Sequence, residues 1–179
     1  MLEGLREDFR THDRDLLRPG LWALAVYRFG GWRYSVRPRF LRAPFYVAYR
    51  LAFAAVQALT GIEIPCEARI GRRLRIDHHS GIIVNGDAEL GDDCVIRNGV
   101  TIGLRTSREP GSPVIGNRVD IGAGAKVLGR IRVGDDVAIG ANAVVLSDVP
   151  ANSVAVGIPA RVKPRRDHAR ADRAAETTS

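Results

Sequence analysis

From Ile115 to Val145 an aliphatic residue occupies every sixth position: Ile115, Ile121, Val127, Val133, Ile139 and Val145. Ile115, Ile121, Val133 and Ile139 each precede a glycine directly. Four places after each of the six stands a second small or branched apolar residue: Val119, Ala125, Ile131, Val137, Ala143 and Val149. Helices and strands bring side chains back to one face every 3.6 and every two residues, so a period of six belongs to neither alone. It suits a chain that lays down one short strand and one corner per hexapeptide, with three such units closing a triangular coil of about eighteen residues. The aliphatic residue points inward, and glycine or another small residue takes the tight corner. The same phase runs upstream through Ile64, Ile70 and Ile76 and resumes at Val84, Leu90, Ile96 and Ile102. The pattern predicts an all-β main domain, a parallel β-helix over 62–162.

Two irregularities break the period. Ile76 to Val84 is a step of eight, which puts Asp77-His78-His79-Ser80-Gly81 at a distorted corner. Ile102 to Ile115 is a step of thirteen, which leaves Leu104–Val114 as an excursion rich in Arg, Ser, Gly and Pro. A regular scaffold holds irregular segments in place, so function is expected at the breaks.

Residues 1–61 follow a helical pattern. Leu2, Leu5, Phe9 and His12 recur at three or four; Leu21–Phe29 follows a Pro19-Gly20 break and is closed by Gly30-Gly31. A last helix is expected from about Pro44 to Leu59, with Gly61 as its cap. This block would cap the open first coil. The tail, 163–179, is polar and Arg-rich and is expected to be disordered.

Composition narrows the class. A chain of 179 residues makes one or two domains. A single coil cannot bury its own faces, so stacking and oligomerisation are expected to supply stability. The two cysteines, Cys66 and Cys94, fall at hexapeptide side-chain positions and read as small buried hydrophobes. The charged N-terminus has no apolar signal core, and Ala43–Leu59 is short for a span and carries Arg50. A cytoplasmic protein is expected, with membrane contact at most peripheral. The net charge of +7 comes with dispersed arginines and no aromatic-basic module, which argues against nucleic acid. It serves solubility or attracts an anionic partner such as the phosphates of a nucleotide cofactor.

Only His78 and His79 lie in the coil, next to Asp77, with Glu63 at the coil's start. A histidine beside a carboxylate makes a general base, because the acid fixes one tautomer and stabilises the imidazolium. A catalytic zinc site on such a coil needs three histidine ligands, and an adjacent pair falls short, so no metal is expected.

The segments Gly61-Ile62-Glu63-Ile64, Ile70-Gly71-Arg72-Arg73 and Ile76-Asp77-His78 carry a resemblance, as do Gly122–Gly129 and Val156–Val162. Together they resemble the serine acetyltransferase family and, as closely, the acetyltransferases of exopolysaccharide and colanic acid synthesis. Leu5-Arg6 and Ala25–Arg28 in the N-terminal block are similar too. The resemblance implies a left-handed coil, a homotrimer or dimer of trimers with sites between neighbouring coils, and acetyl-CoA as co-substrate. It implies His78 as the base on the acceptor hydroxyl, Glu63 as its orienting acid and Asp77 as an acceptor-binding residue. Acetyl-CoA would touch Gly103, Ala123, Gly124, Ala141 and the Ile158-Pro159-Ala160-Arg161 turn. Transfer would be direct, in a ternary complex, with neither cysteine carrying the acyl group.

One departure bears on the acceptor. Where serine acetyltransferases have an Arg-His-Pro run, this chain has Gly111-Ser112-Pro113, and Gly103-Leu104-Arg105-Thr106 replaces a Gly-Gly-Thr-Gly. A serine carboxylate would lose a charge-assisted hydrogen bond, worth about 1.5–3 kcal/mol, unless Arg105 or Arg108 replaces it. A sugar hydroxyl of an exopolysaccharide precursor needs no such clamp and is therefore the expected acceptor, with L-serine as the alternative. A non-catalytic β-helix scaffold is a further alternative, but it would be expected to have lost His78 or Glu63.

Overall fold

A computed structural model describes residues 2–165. Three helices open the chain: α1 (Leu2–Thr11), α2 (Pro19–Trp32) and α3 (Arg42–Thr60), with short 3-10 turns at Arg33–Ser35 and Arg39–Leu41. Strands then follow three to a coil. The first coil holds β1 (Ile62–Glu63), β2 (Arg69–Ile70) and β3 (Arg75–Asp77); the second β4 (Ile82–Val84), β5 (Glu89–Leu90) and β6 (Val95–Arg97). The third holds β7 (Thr101–Gly103), β8 (Val114–Ile115) and β9 (Asp120–Ile121); the fourth β10 (Lys126–Leu128), β11 (Arg132–Val133) and β12 (Ala138–Ile139). The last strands are β13 (Val144–Val145), β14 (Ser153–Val156) and β15 (Arg161–Pro164).

Stacking these coils gives three parallel faces, ordered β1-β4-β7-β10-β13, β2-β5-β8-β11 and β3-β6-β9-β12-β14. The parallel β-helix predicted from the period of six is the fold, with the helical block at its N-terminal end. Val84 pairs with Ile102 and Val127 with Val145, one regular coil of 18 apart. Ile62 pairs with Ile82 across the first irregular corner, 20 apart, and Ile102 with Val127 across the long excursion, 25 apart. Both breaks are therefore insertions absorbed at a corner while the faces stay in register. The predicted inward residues, from Ile64 to Val149, form one continuous core with Leu74, Cys94, Val100 and Ala155. Cys66 and Cys94 are both buried, and burial pushes the Cys94 thiol above its ordinary pKa.

One vertex shows why glycine recurs. A Cβ on Gly71 would lie 2.6 Å from the Gly91 carbonyl, and one on Gly91 would lie 2.6 Å from that of Gly116. Beside them runs a ladder in which the Arg72, Asp92 and Asn117 amides donate to Asp92, Asn117 and Asp135 of the next coil at 2.8–2.9 Å. Arg73 pairs with Asp93, and Arg118 with Asp136, again one coil on.

Two boundaries differ from expectation. Pro19-Gly20 begins α2 instead of preceding it, and Gly30-Gly31 lies inside the helix, which runs on to Trp32. Both glycines are contact surfaces. A Cβ on Gly20 would stand 2.6 Å from Ile76 Cβ, and one on Gly30 2.5 Å from Tyr49 Cε2. Their smallness lets α2 lie against the first coil and α3, so that Ala23 and Leu24 join the coil's core. Buried Asp8 pairs with Arg28, which also donates to the Gly71 carbonyl at 2.9 Å. α3 ends as expected at Gly61, whose φ of 67° only glycine adopts freely. At the other end the chain does not coil on to Val162: β15 turns back antiparallel on β14, covering the edge of the third face. Of the tail expected to be disordered, residues 166–179 lie outside the described residues.

Candidate active site

The triangular cross-section has three vertices, and the His78 corner sits where the third face of one coil passes to the first face of the next. Asp77 ends β3, and the chain then turns through His78 (φ 60°), Ser80 (φ 95°) and Gly81 (φ 65°). The left-handed state is shared with corner residues such as Arg73, Asp93, Arg118 and Asp136, so it is what the coil's turns require, and histidine enters it more readily than most residues. His78 and His79 are both exposed. Above them the vertex continues as a column of linked amides: Gly99 donates to Ser80, Gly124 to Asn98 and Asn142 to Ala123, each at 2.8 Å. At its top, Val144 donates to Gly157 at 3.0 Å and Ala160 to Val144 at 2.8 Å. Ala123, Gly124, Ala141 and the Ile158–Arg161 turn thus share the vertex that carries His78.

Glu63 begins the first face directly below this corner, and the Gly61 carbonyl accepts the Ile82 amide at 3.1 Å. Its Oε2 accepts a hydrogen bond from Gln57 Nε2 at 2.9 Å, and among the described residues it makes none with His78. Asp77, partly buried, accepts from Arg75 Nε at 2.8 Å. Arg75 also reaches Asp13, at 3.2 Å, in the α1–α2 connection.

Three residues near this vertex escaped the sequence analysis. Arg75 was detectable, because Arg75 and Asp77 stand two apart on a strand and so face the same way. Gln57 lies four residues before the helix-ending glycine, a position that carries no distinctive signal. Lys126 occupies an outward hexapeptide position, and its Nζ donates to the Gly99 carbonyl at 2.6 Å and to Thr101 Oγ1 at 3.0 Å, clamping the column.

Gly103, Arg105 and Arg108 lie elsewhere. Gly103 ends β7 at the opposite edge of the first face, where its carbonyl accepts the Gly129 amide at 2.8 Å. Arg105 and Arg108 are exposed on the excursion that starts there, around a turn in which Thr106 Oγ1 accepts from the Arg108 and Glu109 amides. The far end of the excursion is pinned where Ser112 Oγ donates to Asn85 Oδ1 at 2.9 Å. One chain therefore does not bring this loop to its own His78 corner.

Residues 112–147 match the family described as bacterial transferase hexapeptide (six repeats). Over 148 residues the chain is 49% identical to the serine acetyltransferase of Helicobacter pylori J99, covering 82% of each protein. The chain belongs to the serine acetyltransferase family. A serine acetyltransferase solved in complex with CoA superposes with a TM-score of 0.71 at 32% identity, covering 83% of this chain and 58% of that one. The Neisseria gonorrhoeae serine acetyltransferase in complex with serine superposes with a TM-score of 0.73 at 30% identity, covering 90% and 68%. As a serine acetyltransferase homologue the protein is an acyltransferase.

This membership favours the alternative acceptor, L-serine, over the expected saccharide. A saccharide acceptor was inferred from the missing Arg-His-Pro run, yet the likeness runs to serine acetyltransferases, and nothing in it supports the exopolysaccharide branch. The missing run is one local departure. It belongs to the excursion at the far edge of the first face, whereas the Asp77-His78 corner and Glu63 are intact.

Proposed function

We propose that the protein is an L-serine O-acetyltransferase that uses acetyl-CoA. The observation that carries this is the Asp77-His78 corner: a carboxylate next to a left-handed, exposed histidine, at the foot of a column of small residues. His78 takes the proton of the serine hydroxyl as its oxygen attacks the thioester carbonyl. The tetrahedral intermediate collapses with loss of the CoA thiolate, which recovers the proton from the imidazolium. Glu63, held by Gln57, steadies that imidazolium, and Asp77 receives the substrate ammonium. The vertex formed by Ala123, Gly124, Ala141 and Ile158–Arg161 takes the length of acetyl-CoA. A general base of this kind contributes about 10²–10⁴-fold. The solved relatives with CoA and with serine support both substrates.

Since Gly103, Arg105 and Arg108 sit at another vertex, they serve the reaction from a neighbouring copy, in the trimer that the family resemblance implies. The loop's arginine then meets the serine carboxylate in place of the Arg-His-Pro run. The test is thiol release from acetyl-CoA by purified protein with L-serine, set beside nucleotide sugars and oligosaccharides. Serine-dependent release is expected. Release with saccharides alone rejects the proposal.

A further inference from the structure

The charge of the chain is distributed in an unusual way that composition alone hides. Seven of the 27 basic residues and none of the 20 acidic ones lie between Leu16 and Ile62, so the rest of the chain is balanced at 20 each. The whole net charge of +7 thus belongs to the stretch from Arg18 to Arg50, which is α2, α3, the turns between them and the residue before α2. Arg18, Arg28 and Arg33 have carboxylate partners in Asp13, Asp8 and Glu67. Arg37, Arg39, Arg42 and Arg50 have none among the described residues. Arg37, Arg39 and Arg42 instead line a surface hollow of about 540 Å³.

Apolar side chains surround these cations. Helix α3 packs inward through Phe45, Tyr49, Phe53 and Val56, but its outer side is not polar. Phe40 (75% exposed), Val47 (55%) and Leu51 (69%) stand in solvent, with Tyr46 and Leu41 beside them. Outward Val47, Arg50 and Ala54 fall at i, i+3 and i+7, on one stripe of the helix. No helix among the described residues is long and apolar enough to cross a membrane.

We infer that this side of the protein docks on an anionic lipid bilayer, with α3 lying along the interface. Aromatic and aliphatic groups enter the headgroup boundary, and Arg37, Arg39 and Arg50 reach lipid phosphates, Arg50 by extending its stem along the apolar surface, while Arg42, which donates to the Val36 and Tyr34 carbonyls, adds its charge. A second copy fits less well. Two α3 helices packed antiparallel about Leu51 would set Arg50 against Arg50 at the centre, with no acid in the surrounding segment to offset them. The bilayer supplies the missing negative charge.

The test is co-sedimentation of the full-length protein with vesicles of phosphatidylcholine alone and of phosphatidylcholine with phosphatidylglycerol, at low and near-physiological salt. Binding only to the anionic vesicles, weakened by salt, is expected. The double variant Arg37→Gln/Arg39→Gln lowers the partition coefficient about 30-fold, at about fivefold per cation. Phe40→Ser/Leu51→Gln lowers it while leaving acetyl transfer and the circular dichroism spectrum unchanged, which separates lost docking from misfolding. Equal binding to neutral vesicles, or anionic binding that neither variant weakens, overturns the inference. So does absence of vesicle binding together with a larger assembly that Leu51→Gln splits in analytical ultracentrifugation, which would assign the face to a second copy.

Discussion

Arg75 Nε donates to Asp77 Oδ1 at 2.8 Å, so the carboxylate next to His78 already has a guanidinium on one oxygen. The contact aims the acid while leaving its other oxygen for a substrate ammonium. Asp77→Asn keeps the shape and removes the charge. A lost charge-assisted hydrogen bond of about 1.5–3 kcal/mol corresponds to a rise in the KM for L-serine of roughly 10-fold or more. The KM for acetyl-CoA is expected to stay within a factor of two. Steady-state kinetics with each substrate varied decides this, and an unchanged serine KM removes Asp77 from the acceptor site.

The adjacent histidines separate the catalytic role from mere exposure. His78→Ala is expected to lower kcat by about 10²–10⁴-fold while acetyl-CoA binding by calorimetry stays nearly intact. His79→Ala, one residue on with an ordinary backbone, is expected to cost far less. Equal losses in the two variants sink the assignment of the base.

Three glycines in α2 make a stability test with an internal control. Gly20→Ala drives a methyl to 2.6 Å from Ile76 Cβ, and overpacking of this kind costs about 1–3 kcal/mol. Gly30→Ala meets Tyr49 and Cys66 and is expected to cost as much. Gly31 has nothing within 4 Å, so Gly31→Ala stabilises the helix by about 0.8–1 kcal/mol. Thermal melts should show two decreases and one increase. A fall in Tm for Gly31→Ala would contradict the packing described for α2.

Acid should loosen the coil at its vertex ladder. Arg73 holds Asp93, and Arg118 holds Asp136, below the usual carboxylate range, while the Asn117 amide does the same for Asp135. Carboxyls depressed in the folded state bind fewer protons there than in the unfolded chain. Their stabilisation is therefore complete above the ordinary carboxylate value, about 3.9, and is lost as pH falls through the lower folded values. Tm is expected to change little from neutrality to about pH 5 and to drop below about pH 4. In Arg73→Gln/Arg118→Gln that drop should be shallower. An identical slope would mean that these exposed pairs contribute nothing.

Much of this was legible in the residues themselves. The period of six fixes the coil because inward positions admit only aliphatic or small groups, and the steps of eight and thirteen appear as corner insertions of two and seven residues. The His78 corner was legible for the same reason. That Arg105 and Arg108 leave from another vertex than His78 was not legible, because sequence separation does not say which of three vertices a loop leaves from. Gln57 was missed because its bond to Glu63 joins the last turn of a helix to the first strand of the coil, a junction with no periodicity. For the acceptor, one absent motif pointed to a saccharide, whereas the likeness of the whole chain favours the alternative, L-serine.

The ladder Arg72-Asp92-Asn117-Asp135 joins each coil only to the next. Pulled from its C-terminal end, such a molecule should not come apart all at once. The β14–β15 hairpin would peel first, and slack would then be released a coil at a time, about 60 Å for each eighteen residues. One longer step would come from the coil that carries the excursion. The His78 corner lies in the lowest coils against the helical block, so it would be the last part of the column to feel the load.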